Sequence, residues 1–349
     1  MRLFPIVAIL ALMMSLPASS KFCRTTVAPK NFLDGLYRAA CAEAKDWLDA
    51  QESGGKIQPR TLAHLPPVPV YFHIMDDFSR HWITENVYVS QFEYLRDFFA
   101  AIGFTFELKK IFYYHEPGWS MGSDDAQLDM MQQLRVGNYE TLNVFIVEGL
   151  NGNRKDLGLS SLPEDYVEWT SKAFKEDGIR LTFRVLPSWT SDPNYNEGKT
   201  LLHEVGHWLG LLHPFYNGCH PDFLLGGDKV PDTPPQAYQF TTCFAPGTEI
   251  QSCPRLLGFP PNLIDNMMDY LPDRCKTGFT QGQINRMEYT FAWLRQEQPL
   301  GAPPMGIDFP RYAPVSVVVP NVPEPSLFSI NPENPWTVEP EIGVMTMGV

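Results

Sequence analysis

His203, Glu204, His207, Gly210 and His213 fall within eleven residues, in the order H-E-x-x-H-x-x-G-x-x-H. On a helix, side chains one turn apart project from the same face, so His203 and His207 can grip a single divalent ion. Glu204 stands beside the first imidazole, where a carboxylate can take a proton from a water polarised by that ion. Gly210 permits positive φ, and a sharp turn there returns His213 toward the other two rings. Three protein nitrogens leave one coordination position open, which marks a catalytic rather than a structural zinc site. The two histidines and the glutamate alone would also fit an ordinary helix with a few polar residues; the glycine and third histidine at this spacing narrow the reading to a metal site. Leu201, Leu202, Val205, Trp208, Leu209 and Leu212 surround the polar groups. Burying imidazoles and a carboxylate among them is costly without a partner, which a metal supplies.

Other segments must hold this helix, expected over 198–209. Residues 68–74 read as a strand that tolerates Pro69 at an edge. Val89, Phe92, Leu95, Phe98 and Phe99 recur at helical spacing and predict a helix over 87–102 that packs into the core. Residues 104–114 alternate as a strand, and 124–134 have helical composition. The β-branched and aromatic content of 141–147 predicts a buried strand. A further strand is expected over 178–186, with Ile179, Leu181, Phe183 and Val185 on one face. A closing helix over 281–296 would bury Ile284, Met287, Phe291 and Leu294. Alternating strands and helices imply an α/β (α+β) upper half with a mixed, twisted sheet. Beyond His213, Gly, Pro, Asn, Asp and Cys are frequent up to Cys275, which predicts an irregular lower half.

The chain has 349 residues, 44% of them hydrophobic, enough for one large domain with appendages. A net charge of -13 and a pI near 5.1 speak against a nucleic-acid binder, which would carry a basic face. Arg2, the apolar run over 3–16 and the small residues Ala18, Ser19 and Ser20 read as a signal peptide over 1–20 and hence secretion; the run is too short to span a bilayer comfortably. Residues 21–65 read as a pro-segment, 66–298 as the catalytic domain and 299–349 as a Pro-rich tail, extended in character. Six cysteines in a secreted chain suggest disulfides. Cys219, Cys243, Cys253 and Cys275 cluster around the lower half, and residue spacing alone leaves all three of their pairings open.

With Asn266-Met267-Met268-Asp269-Tyr270 downstream, the zinc motif resembles that of the pappalysin family of metzincin metalloproteases, which includes secreted fungal extracellular metalloproteases. Gly227-Asp228-Lys229-Val230-Pro231-Asp232-Thr233-Pro234 resembles the family's G-D-x-V-x-D-T-P segment. Phe279-Thr280-Gln281-Gly282-Gln283 with Arg286-Met287 resembles its F-T-x-G-Q-x-x-R-M helix start, and 68–74 its first strand. The resemblance spans roughly 66–295. It implies Met268 as the Met-turn residue, an apolar floor beneath the imidazoles, with Met267 in place of the usual aromatic. It implies that Tyr270 reaches toward the metal and steadies the oxyanion. It implies the pairs Cys219–Cys253 and Cys243–Cys275. Cys23-Arg24-Thr25 is similar to the family's C-G-T zymogen switch, with Arg24 in place of Gly; a Cys23–Cys41 disulfide is the competing reading. The resemblance also implies calcium in this general region, where Asp228 and Asp232 could form an oxygen-rich site; a solvated acidic loop is the plain alternative.

The expected activity is that of a secreted zinc endopeptidase acting on protein or peptide substrates, with Glu204 as base and no membrane span. A catalytically inactive zinc-binding protein on a protease fold, and an amidase acting on small substrates, are the competing classes. An intact Glu204 disfavours the first, and the three-histidine motif with its Met-turn disfavours the second.

Overall fold

Two cores, one on each face of a single sheet, fix the scaffold. The computed structural model describes residues 65–296 apart from 77–82, 165–166, 188–191, 221–224 and 255–258. The segments expected to be a signal peptide and a Pro-rich tail, and nearly all of the expected pro-segment with Cys23 and Cys41, lie outside the described residues. Strands β1 (Val68–Asp76), β2 (Phe106–His115), β3 (Leu142–Val147), β4 (Gly158–Ser160) and β5 (Ile179–Thr182) form one sheet in the order β2-β1-β3-β5-β4. β1 pairs in parallel with β2 and β3, and β3 with β5. β4 runs antiparallel to β5 at the sheet's edge.

Parallel neighbours need crossovers. Helix α1 (Glu85–Ala100) carries the chain from β1 to β2, and α2 (Asp124–Leu134) lies on the path from β2 to β3. β3 is buried at every position, as a strand covered on both faces must be. Its Leu142, Val144 and Ile146 join Phe92, Leu95 and Phe99 of α1 in one core. Its Phe145 and Val147 join Met130, Met131 and Leu134 of α2 in the other. The α1 stripe is close to the expected one, with Val89 and Phe98 only partly buried against the core. Ser123 caps α2, its Oγ accepting from the Ala126 amide at 3.4 Å.

Two expected elements end early. The strand expected over 178–186 stops at Thr182 and becomes a 3₁₀ turn, Phe183–Val185. Thr182 pairs with Val147, the last residue of β3, so the ladder has no further partner there. Phe183 and Val185 remain buried, which is why their alternation read as strand. The last helix is α-helical only over Gln281–Thr290 and widens into a π turn over Phe291–Arg295. β4 has only three residues and went unread in the sequence.

Helix α3 (Lys199–Trp208) packs on the same core as α1, and α4 (Gln281–Thr290) closes the fold behind it. Between 213 and 275 the described residues contain no α-helix or strand. Disulfides Cys219–Cys253 and Cys243–Cys275 staple this region, the pairing the resemblance implied. Cross-links suit a segment that lacks backbone ladders of its own.

Candidate active site

α3 buries Leu201, Leu202, Val205 and Trp208 in the core, and holds His203 and Glu204 at 5% and 6% exposure. Its end is set by Gly210, at φ 89°. The Gly210 amide donates to the His207 carbonyl at 2.8 Å and the Leu211 amide to the Gly206 carbonyl at 2.9 Å, a Schellman ending. A Cβ on Gly210 would also stand 2.7 Å from Thr290 Oγ1, so both conformation and space demand glycine. The reversal delivers His213 to the two helical histidines.

The three Nε2 atoms converge. His203 lies 3.1 Å from His213 and 3.2 Å from His207, and His207 lies 3.0 Å from His213. His203 Nδ1 meets the Met267 carbonyl at 2.9 Å, and His207 Nδ1 meets the Leu211 carbonyl at 2.8 Å. A carbonyl only accepts, so these bonds select the tautomer with the proton on Nδ1 and a lone pair on Nε2. Converging lone pairs repel unless a cation lies between them. His203, His207 and His213 would hold a divalent ion such as zinc and leave it a further position for water or substrate. The rings suit that role electrostatically. Burial lowers His207 to about 4 and His213 to about 2, and pushes His203 well below its ordinary value, so all three stay neutral near pH 7. Among the described residues, no other group of three or more His, Cys, Asp or Glu side chains is placed to hold a metal ion.

Met268 lies under the helix. A Cβ on Gly206 would stand 2.5 Å from Met268 Sδ, so the floor and the helix touch at a glycine. The turn around Met268 is pinned by its neighbours. Asn266 Oδ1 accepts from the Met268 amide at 3.0 Å, and Asp269 Oδ1 accepts from the amides of Phe240 at 2.9 Å and Tyr270 at 2.8 Å. Tyr270 leaves the turn 41% exposed, its ring 4.8 Å from that of His213 and 5.9 Å from that of His203. Burial first, then the charge of Glu204, raises its phenol above the ordinary value, so it remains a donor at neutral pH.

Glu204 faces the edge strand: a Cβ on Gly158 of β4 would stand 2.5 Å from Glu204 Oε1. Burial raises its carboxyl to about 8, against the pull of the Lys276 charge. Lys276 is itself 5% exposed, and its amine is lowered by burial while Asp273 and Glu204 pull it back up.

The motif segments that carry the resemblance are one hydrogen-bonded network. Asn266 Nδ2 donates to Gln283 Oε1 at 2.8 Å, and Gln283 Nε2 to Asp228 Oδ2 at 2.9 Å. Asp228 Oδ1 accepts from the Val230 amide at 3.0 Å. Asp232 accepts from Thr280 Oγ1 at 2.7 Å and from the Gly282 amide at 2.9 Å. Thr280 and Gln283 complete a capping box on α4. All four carboxylate oxygens of Asp228 and Asp232 therefore have protein donors, and the calcium expectation gains no support from this pair. Their observed work is to fasten the Met-turn and the preceding loop to α4.

Sequence reasoning missed the anchor at the far end of α3. Asp177 binds Arg295 at 3.1 Å and Arg135 at 3.1 Å, with all three side chains at most 2% exposed. Arg295 stacks over Trp208, 3.6 Å from the ring centroid, and donates from Nε to the Trp208 carbonyl at 2.9 Å. Asp177 lies 118 residues from Arg295, so no local pattern could join them. Gly158 and Lys276 were missed as well, since neither stands in a motif that names its partner.

The family described as pregnancy-associated plasma protein-A, peptidase M43, matches residues 125–292. An extracellular metalloprotease of Podospora anserina is 31% identical over 283 residues, covering 80% of this chain and 92% of that protein. One of Neurospora crassa is 36% identical over 223 residues, covering 63% and 73%. Mature mirolysin of Tannerella forsythia, solved with a cleaved peptide, shares the fold with a TM-score of 0.51 at 21% identity, covering 68% of this chain and 97% of that one. A second mirolysin structure aligns with a TM-score of 0.52 at 22% identity, covering 68% and 94%. The chain belongs to the peptidase M43 family of metalloproteases, the pappalysins.

Proposed function

We propose that this metalloprotease is a secreted, zinc-dependent endopeptidase in which His203, His207 and His213 hold the metal and Glu204 is the general base. The observation that carries the reading is the convergence of the three Nε2 atoms at 3.0–3.2 Å, with Glu204 buried on the same helix next to His203. Zinc held there would polarise the scissile carbonyl and acidify a water. Glu204 takes the water's proton and returns it to the leaving amine. Tyr270 donates its hydroxyl hydrogen bond to the developing oxyanion. Met268 keeps the floor apolar, and the two backbone carbonyls on Nδ1 hold the His203 and His207 rings in the tautomer the metal requires.

A substrate peptide would lie extended along the open edge of β4. The Leu157 carbonyl accepts from Thr182 at 3.0 Å and the Ser161 amide donates to Gly178 at 3.0 Å, so alternate residues of this segment face β5. Gly158 and Ser160 therefore turn their N–H and C=O groups outward, where a peptide can add as an antiparallel strand. Secretion rests on the extracellular relatives and on the apolar N-terminus.

The test is metal analysis of the purified, processed protein together with casein hydrolysis, with and without a chelator, for wild type and Glu204→Gln. One zinc per chain and hydrolysis lost in the variant support the reading. Sub-stoichiometric zinc, or a variant that cuts at wild-type rate, refutes it.

A further inference from the structure

We propose that a pocket behind β4, on the face of the sheet opposite the imidazoles, is a specificity subsite for a large apolar side chain of the substrate. The inference rests on the β4 pairing described above. Side chains along a strand alternate between faces. Gly158 points at Glu204, so Leu159 points the other way. Leu159 pairs with Arg180 of β5, whose guanidinium reaches Asp124 of α2 at 2.8 Å, which fixes that face as the α2 side. There a pocket of about 440 Å³ opens, lined by Leu128 and Met131 of α2, Leu159, Leu162 and Ala173.

The strand geometry places a substrate side chain over it. Leu159 turns its backbone groups toward β5, so the substrate residue opposite it forms a non-hydrogen-bonded pair, with the closer side-chain approach of the two pair types. That residue's side chain must fall on the same face as Leu159, above the pocket. Antiparallel pairing puts it on the amino-terminal side of the bond held near Glu204.

Of the four charged residues on the lining, Lys172, Glu176 and Arg180 have partners, and Glu164 stands exposed at the rim. Lys172 lies 3.9 Å from Glu176, Glu176 accepts from Gln132 at 2.8 Å, and Arg180 is bound to Asp124. Apart from Glu164 at the rim, the lining without a polar task is leucine, methionine, alanine and glycine, which suits an aliphatic or aromatic group better than a charged one.

The experiment is cleavage of a peptide library by the full, zinc-loaded protein, read by mass spectrometry at the three positions before the cut. Matched peptides with Leu or Ala at the preferred position then give kcat/KM ratios. A preference for large apolar residues of about tenfold is expected at one of those positions. Ala173→Phe, which fills the pocket, and Leu128→Glu, which charges it, should each bring the ratio close to one, with thermal unfolding confirming that each variant folds. No apolar preference in the wild type, or one that survives both variants, overturns the subsite. A third arm separates the two readings. N-methylation of the substrate residue opposite Gly158 should slow cleavage if the edge pairing holds. If it does not, the pairing fails and the subsite with it; if it does and the preference is absent, the subsite alone fails.

Discussion

Gly158 and Glu204 share one space: the first atom of any side chain on Gly158 would lie 2.5 Å from Glu204 Oε1. The edge strand and the proposed base are thus spaced by the absence of a methyl group. Gly158→Ala must push the carboxylate or the strand aside, and misplacement of a reacting group by about 1 Å costs on the order of 10²-fold in rate. We expect that loss in kcat/KM with zinc content unchanged. Wild-type kinetics in Gly158→Ala would show that the carboxylate has room it does not use.

Base and ligands separate by measurement. Glu204→Gln should retain zinc and lose about 10²–10⁴-fold in kcat. His207→Ala should lose zinc and thermal stability together, because two imidazoles and open water hold the ion poorly. Elemental analysis beside a melting curve distinguishes the two phenotypes.

Zinc alone should restore a chelated sample. The carboxylates of Asp228 and Asp232 are occupied by protein donors. Full recovery of activity and melting temperature on adding zinc without calcium is expected. A recovery that requires calcium as well would place that ion elsewhere in the lower half.

The Asp177 anchor should be costly to break. Burial by itself would raise this carboxyl, but Arg295 and then Arg135 outweigh it and hold it below its ordinary value of 3.8. Asp177→Ala leaves two buried guanidinium groups without their shared partner, worth about 3–5 kcal/mol in denaturant unfolding. The depressed carboxyl contributes stability at every pH above 3.8 and loses it only as pH falls through the still lower native value, so the gap between variant and wild type should narrow only in strong acid.

His73 should contribute to the milder acid limit, beside the three converging histidines. It is fully buried, stacked 4.6 Å from Phe145, and its Nε2 lies 3.0 Å from Asn143 Oδ1. Burial lowers it from 6.5 to about 4. A lowered histidine favours the fold above 6.5 and withdraws that support as pH falls toward the native value, here about 4. Over that window the wild type should lose up to about 3 kcal/mol, and His73→Gln should lose correspondingly less. Parallel stability curves for the two proteins would exonerate this ring.

What the sequence disclosed depended on how far apart the partners lie. The histidines and Glu204 sit within eleven residues, so a helix and one turn bring them together and their spacing is enough to read. The stripe of Phe92, Leu95 and Phe99 was legible for the same reason. Phe183 and Val185 misled because they are buried in a 3₁₀ turn whose alternation imitates a strand. β4 gave too little to read at three residues. Asp177 and Arg295 are distant in sequence and look like ordinary surface charges until the fold closes. Asp228 and Asp232 were visible as acids, but only the structure shows that amides, a hydroxyl and a carboxamide satisfy them.

The bond between Asn266 and Gln283 also orders events in time. A ribosome that has delivered residue 213 has supplied all three converging imidazoles, yet the methionine seat beneath them cannot be locked until the closing helix emerges. The seat therefore cannot form before Gln283 is made, and a chain cut short before it would own the three imidazoles without the platform that steadies them.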